Sequence, residues 1–247
     1  MRFVTPCITV LLTSATLATG YQQPSEDAVT SRLMPDRLVV RAPLGSCTVA
    51  RVAALIAKSV AIPAGAERLP GPCTPDALEW AATDVVHLQG MTVADAMNAV
   101  VKLDPRYYWT ESDGVVVVRP LAAWANPKHF LHDTLEALEL DKVNIGAALD
   151  AVLRPLRGER PEGAGLLMRD VGELSISVGP ITMTEALDAI VRAHGRARWE
   201  VTYCRPEAMI DYAIVWIYTF DDRGIGTPAR IPRDATGKTY DPCRSQN

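Results

Sequence analysis

The chain has no surplus of positive charge: 25 lysines and arginines stand against 29 aspartates and glutamates, a formal charge of -4. Phosphate binding normally shows the opposite balance, so no nucleic-acid partner is expected. Past the first 20 residues no apolar run reaches the roughly 20 residues that a spanning helix needs, so no transmembrane segment is expected in the mature chain. No CxxC pair and no cysteine–histidine cluster has zinc-ligand spacing, and no serine sits in a GxSxG elbow. Gly237-Lys238-Thr239 has Pro232 where a phosphate loop requires glycine. No cofactor, metal or catalytic residue is therefore expected.

What the chain does have begins at its N-terminus. Arg2 precedes the apolar run FVTPCITVLLTSATLA, and the small residues Ala18 and Gly20 precede a cut at Tyr21. That is the pattern of a secretory signal peptide over residues 1–20. Cleavage removes Arg2, making the chain one unit more negative, and removes Cys7. Cys47, Cys73, Cys204 and Cys243 remain, an even set suited to an oxidising compartment. Of the three pairings, Cys47 with Cys73 and Cys204 with Cys243 is favoured, because each bridge then stays inside one copy of an internal repeat. Each bridge is worth about 3 kcal/mol in the chain-entropy view.

The repeat is the strongest signal. MTVADAMNAVVKLDPRYYW, from Met91, returns as ITMTEALDAIVRAHGRARW, from Ile181. Val93, Ala96, Met97, Val100 and Val101 fall at the spacing of a buried helical stripe, and Met183, Ala186, Leu187, Ile190 and Val191 occupy the same places. Thr92 with Asp95, and Thr182 with Glu185, match a helix start signal. Short alternating strands precede these helices, burying Val86 and Leu88 in one copy and Leu174, Ile176 and Val178 in the other. Hairpins of aromatic and valine-rich strands follow, the first turning at SDG. Further upstream, Val49, Val52, Ala53 and Ile56 mark one more helix, and Ile145, Ala148, Leu149 and Val152 its counterpart. Thr48 and Asn144 are the caps, with Pro155 as a stop.

The expected fold class is therefore α+β, as two tandem small domains, each two helices packed with short β-sheets in the order β-α-β-α-β-β. The boundaries are a leader segment at 21–37, domain 1 at 38–120, a proline-bearing linker at 121–133, domain 2 at 134–220 and a tail at 221–247. PAGAERLPGPCTPDALEW reads as an extended loop of the first copy.

LQGMTVADAMNAVVKLDPRYYWTESDGVVVVRP and LELDKVNIGAALDAVLRPL resemble the short N-terminal domain of secretins and TonB-dependent receptors, the STN domain. The resemblance covers residues 38–119 and 135–220. It implies two helices between small sheets, an envelope location in a Gram-negative bacterium, most simply the periplasm, and work by contact with other envelope proteins. It supplies no catalytic residues. No β-barrel, secretin core or membrane helix follows, so neither of the family's particular assignments carries over.

Partner contact would run through exposed strand edges. The candidate edges are the hairpin strand with Val115, Val116, Val117 and Val118, and the later strand with Ile214 and Trp216. The rival expectation is a periplasmic enzyme or small-ligand binder with a site between the domains, using His129, His132, Asp133 and the arginines Arg154, Arg157, Arg160, Arg192, Arg196 and Arg198. Those arginines read more simply as a solvated surface. His87 points off the apolar face of its strand, and His194 ends a helix whose dipole it offsets. Asp95, Glu185 and Asp188 read as polar helix flanks, and Trp109 and Trp199 as packing residues.

Overall fold

The buried stripes form helices where their spacing demands. A computed structural model describes residues 29–35, 39–43, 48–69, 83–157, 172–203, 212–220 and 224–230. Residues 1–28, all the cysteines and residues 231–247 lie outside these residues, while part of the expected leader segment, Val29–Ser31, forms a 3₁₀ turn and part of the expected tail, Gly224–Arg230, is a strand. The helices are α1 (Thr48–Val60), α2 (Val93–Val101), α3 (Leu121–Ala125), α4 (Ile145–Arg157) and α5 (Met183–His194). Val93, Ala96, Met97 and Val100 of α2 are fully buried, as are Ala186, Leu187, Ile190 and Val191 of α5. Thr92 accepts a hydrogen bond from the Asp95 amide at 3.1 Å. Thr182 and Glu185 close a complete capping box, which satisfies two N-terminal amides at once. Asn144 caps α4 through the Ala147 amide at 2.9 Å. Pro155 is not the stop expected of it: it lies inside α4, two residues before the end.

The strands are β1 (Val39–Pro43), β2 (Ala64–Arg68), β3 (Thr83–His87), β4 (Tyr107–Ser112), β5 (Val115–Pro120), β6 (Thr134–Leu135), β7 (Leu138–Asn144), β8 (Glu173–Val178), β9 (Ile181–Thr182), β10 (Ala197–Tyr203), β11 (Tyr212–Thr219) and β12 (Gly224–Arg230). Three two-stranded sheets pair β1 with β3, β6 with β9 and β7 with β8. The other six strands form one sheet in the order β12-β11-β10-β2-β5-β4. The fold is mixed α+β, and no helix among the described residues is long and apolar enough to cross a membrane.

β2 was expected to be loop, yet it is the strand on which the two copies meet. It runs parallel to β5 of its own copy on one side and parallel to β10 of the other copy on the other. Helices then cover opposite faces of the shared sheet. Val116 and Val118 enter a core with α1 and α2, while Val115 and Val117 enter a core with α4 and α5. Successive strand residues point to opposite faces, so four consecutive valines serve two cores. The segment 121–133, read as linker, contributes α3 and a 3₁₀ turn, Phe130–His132, and buries Ala123, Phe130 and Leu131 completely.

Candidate functional site

Two strands and one turn bring three ionisable side chains together inside the sheet. Glu67 of β2, Arg119 of β5 and His129 before the 3₁₀ turn are each exposed by 1 % or less. The Arg119 Nε donates to Glu67 Oε1. His129 Nε2 lies 3.5 Å from Glu67 Oε2. His129 Nδ1 faces Arg119 Nη2 at 3.3 Å and the Leu131 amide at 3.3 Å, both donors, so Nδ1 is the acceptor and the ring proton sits on Nε2, toward Glu67. Burial, helped by Arg119 and opposed by Glu67, pushes the His129 pKa down to about 4. The imidazole is thus neutral at pH 7, and Glu67 and Arg119 balance each other. Trp124 caps the guanidinium with its ring centroid 5.1 Å away, and Tyr108 meets Trp124 edge-on at 5.9 Å.

This cluster is enclosed and internally compensated, which suits a pin between strands better than a reaction centre. Of the residues grouped for the rival enzyme reading, His129 alone joins it. His132 turns aside and donates from Nε2 to the Ala123 carbonyl at 3.1 Å. The Asp133 carboxyl is raised by burial, and its backbone carbonyl accepts from Met183 at 2.9 Å. Arg154 is largely exposed, and Arg192 forms a surface ion pair with Asp113 at 3.2 Å. Arg196 is exposed, Arg198 stacks on Tyr218, and Arg160 lies outside the described residues. No group of three or more histidine, cysteine, aspartate or glutamate side chains among the described residues could hold a metal ion.

A second built feature repeats. Trp109 Nε1 donates to Asn98 Oδ1 at 2.9 Å, and Trp199 Nε1, ninety positions later, donates to Asp188 Oδ1 at 2.7 Å. Asp188, expected on a polar flank, is 8 % exposed. Burial pushes its carboxyl up to about 7; the Trp199 bond, Arg192 and Arg119 oppose this, and Glu185 adds to it. Trp199 lies across the seam over Gly65, where a Cβ would fall inside the indole ring. Seam contacts continue with Arg68 and Glu200 at 3.3 Å.

Both expected interaction edges are corrected. The strand with Val115, Val116, Val117 and Val118 is β5, paired on both sides by β2 and β4. The strand with Ile214 and Trp216 is β11, paired on both sides by β10 and β12. The unbroken apolar run of β5 is what a strand buried on both faces requires. The terminal strands are β4 and β12. Ile214 and Trp216 instead lie on a half-buried sheet face, with Trp216 stacked on Tyr218 at 5.8 Å. Cys47, Cys73, Cys204 and Cys243, with their expected bridges, lie outside the described residues. Glu67 and Arg119 escaped the sequence reading; Glu67 sits in the unrecognised strand, within the stretch AGAERL that read as loop.

No family model matches the chain, no curated protein matches it and no solved structure matches it.

Proposed function

We propose that this is an exported, non-enzymatic protein-contact module of the bacterial envelope, built from two tandem STN-like units, that docks an extended segment of another envelope protein on the outer edge of β4. One observation carries the reading. In the second copy, the edge of β10 is filled by β2, whereas the same edge of its counterpart β4 has no strand on it among the described residues. An unpaired edge offers a row of backbone donors and acceptors to a partner strand. The β4 edge carries no proline, and Tyr108 on it is 51 % exposed. Two long helices per copy, the second of each capped at a matching threonine, support the STN-like reading, and the enclosed ion cluster argues for contact over catalysis.

A photocrosslinking side chain at Ser112, compared with one at the exposed Ala147 of α4, tests this in the source organism. Capture of an envelope protein from Ser112 alone, abolished by Thr110→Lys, is expected; equal capture from both positions, or none, defeats the reading. Export is checked apart from it, by finding Tyr21 as the N-terminus and the bridges Cys47–Cys73 and Cys204–Cys243 in non-reducing peptide maps.

A further inference from the structure

The seam inside the chain specifies what the free edge should accept. β10 receives β2 in parallel, with Arg198 opposite Ala64, Trp199 opposite Gly65 and Glu200 opposite Ala66. The register puts the Trp199 ring against the one residue of β2 with no side chain, and any Cβ there collides with it. β4 repeats the acceptor: Trp109 stands where Trp199 stands, held by the equivalent bond to Asn98, and β4 pairs through Trp109 with Val118 on its inner side. Its ring is half-buried, with no strand beyond it among the described residues.

Building on the docking reading above, we infer that the β4 edge takes an extended segment aligned parallel to it, with glycine opposite Trp109 and small residues on either side, the pattern Ala64-Gly65-Ala66 supplies to β10. The indole acts as a gate: backbone pairing along the edge gives affinity, and exclusion of a Cβ beneath the ring gives selectivity. The occupant is thus a partner protein's Gly-centred strand. A second copy of this chain offers a poorer match, because its β2 is already paired on both sides and its terminal β12 carries Pro228, which removes a backbone donor.

The test uses the full exported chain and a fluorescent peptide with the sequence of residues 62–69, IPAGAERL. Anisotropy should show saturable binding, at least about tenfold weaker for the peptide carrying Gly65→Val, the loss that an overpacked site imposes. Trp109→Ala in the chain, with Trp109→Phe as a milder companion, should erase that discrimination, and Thr110→Lys with Ser112→Lys should abolish binding. Equal binding of both peptides would overturn the glycine gate while leaving edge docking intact. Binding of neither would overturn the gate too, the docking reading then standing or falling on the Ser112 crosslink. Discrimination that survives in the Trp109 variants would place the peptide at the β10 seam by strand exchange and overturn the proposal. Sedimentation showing dimers that the β4 lysines dissolve would make a second copy the occupant and likewise overturn it.

Discussion

At the scale of single residues, two buried groups pull stability in opposite directions with pH. Asp188 holds its proton in the folded state up to about pH 7 against an ordinary value of 3.8, so the folded chain binds more protons and stability falls as pH rises through that window. His129 behaves inversely: its ordinary value is 6.5 and its folded value about 4, so stability is present above 6.5 and lost as pH falls toward 4. Between pH 4 and 6.5 the two slopes oppose, each bounded at about 1.4 kcal/mol per pH unit. Denaturation at a series of pH values should give a nearly flat profile for the natural chain. Asp188→Asn keeps an acceptor for Trp199, as Asn98 does for Trp109, and removes one slope, so stability should climb with pH across the window and exceed the natural chain's above pH 7. A second prediction concerns Gly65→Val, which should cost about 3 kcal/mol in urea unfolding, the upper end of overpacking. Trp109 and Trp199 were legible as packing residues because they recur at one place in the repeat. Asp188 was not, because a helical wheel sees its flank but not the indole that reaches it from another strand.

At the scale of elements, both long helices of each copy could be read from sequence, since each carries a buried stripe and, for α2, α5 and α4, the caps Thr92, Thr182 and Asn144 agree on where it begins; Thr48, expected as a cap, is instead the first residue of α1. Thr182→Ala should remove about 1 kcal/mol, seen as a lowered thermal midpoint, because it opens a capping box. β2 could not be read in this way. Ala, Gly and Glu have weak strand preference, and what makes 64–68 a strand is the pairing that β5 and β10 offer from distant parts of the chain. The same fact explains the misplaced β5 edge, since with β2 unrecognised its outer side had no neighbour; the misplaced β11 edge follows from β12, Gly224–Arg230, which lies in the segment read as tail. The Glu67–Arg119–His129 cluster inherits that blindness, since its members lie 52 and 10 residues apart along the chain. Arg119→Met should destabilise by roughly 3–5 kcal/mol in chemical denaturation, as removal of one partner strands the buried Glu67 carboxylate. Glu67→Gln in the Arg119→Met background should recover part of that loss.

At the scale of the whole molecule, the repeat was plain in the sequence and the joint between its copies was not. One sheet runs through both, and α1 and α2 cover the face opposite to that of α4 and α5, so the second copy relates to the first by a half-turn as well as a shift. Unfolding followed by near-ultraviolet and far-ultraviolet circular dichroism should therefore superimpose on a single transition. Two separated transitions would mean that the seam carries little cooperativity.

The two-faced valine strand also sets an order of events during synthesis. When residues 115–120 leave the ribosome, only one of their faces has a cover available. The helices that shield Val115 and Val117, and the strand that closes the outer side of β2, arrive some tens of residues later. Through that interval the nascent first copy presents a sticky apolar ribbon and an open backbone edge together, the combination most prone to wrong pairing between chains. A cell that makes much of this protein has reason to keep a holding chaperone on it until the second copy is complete.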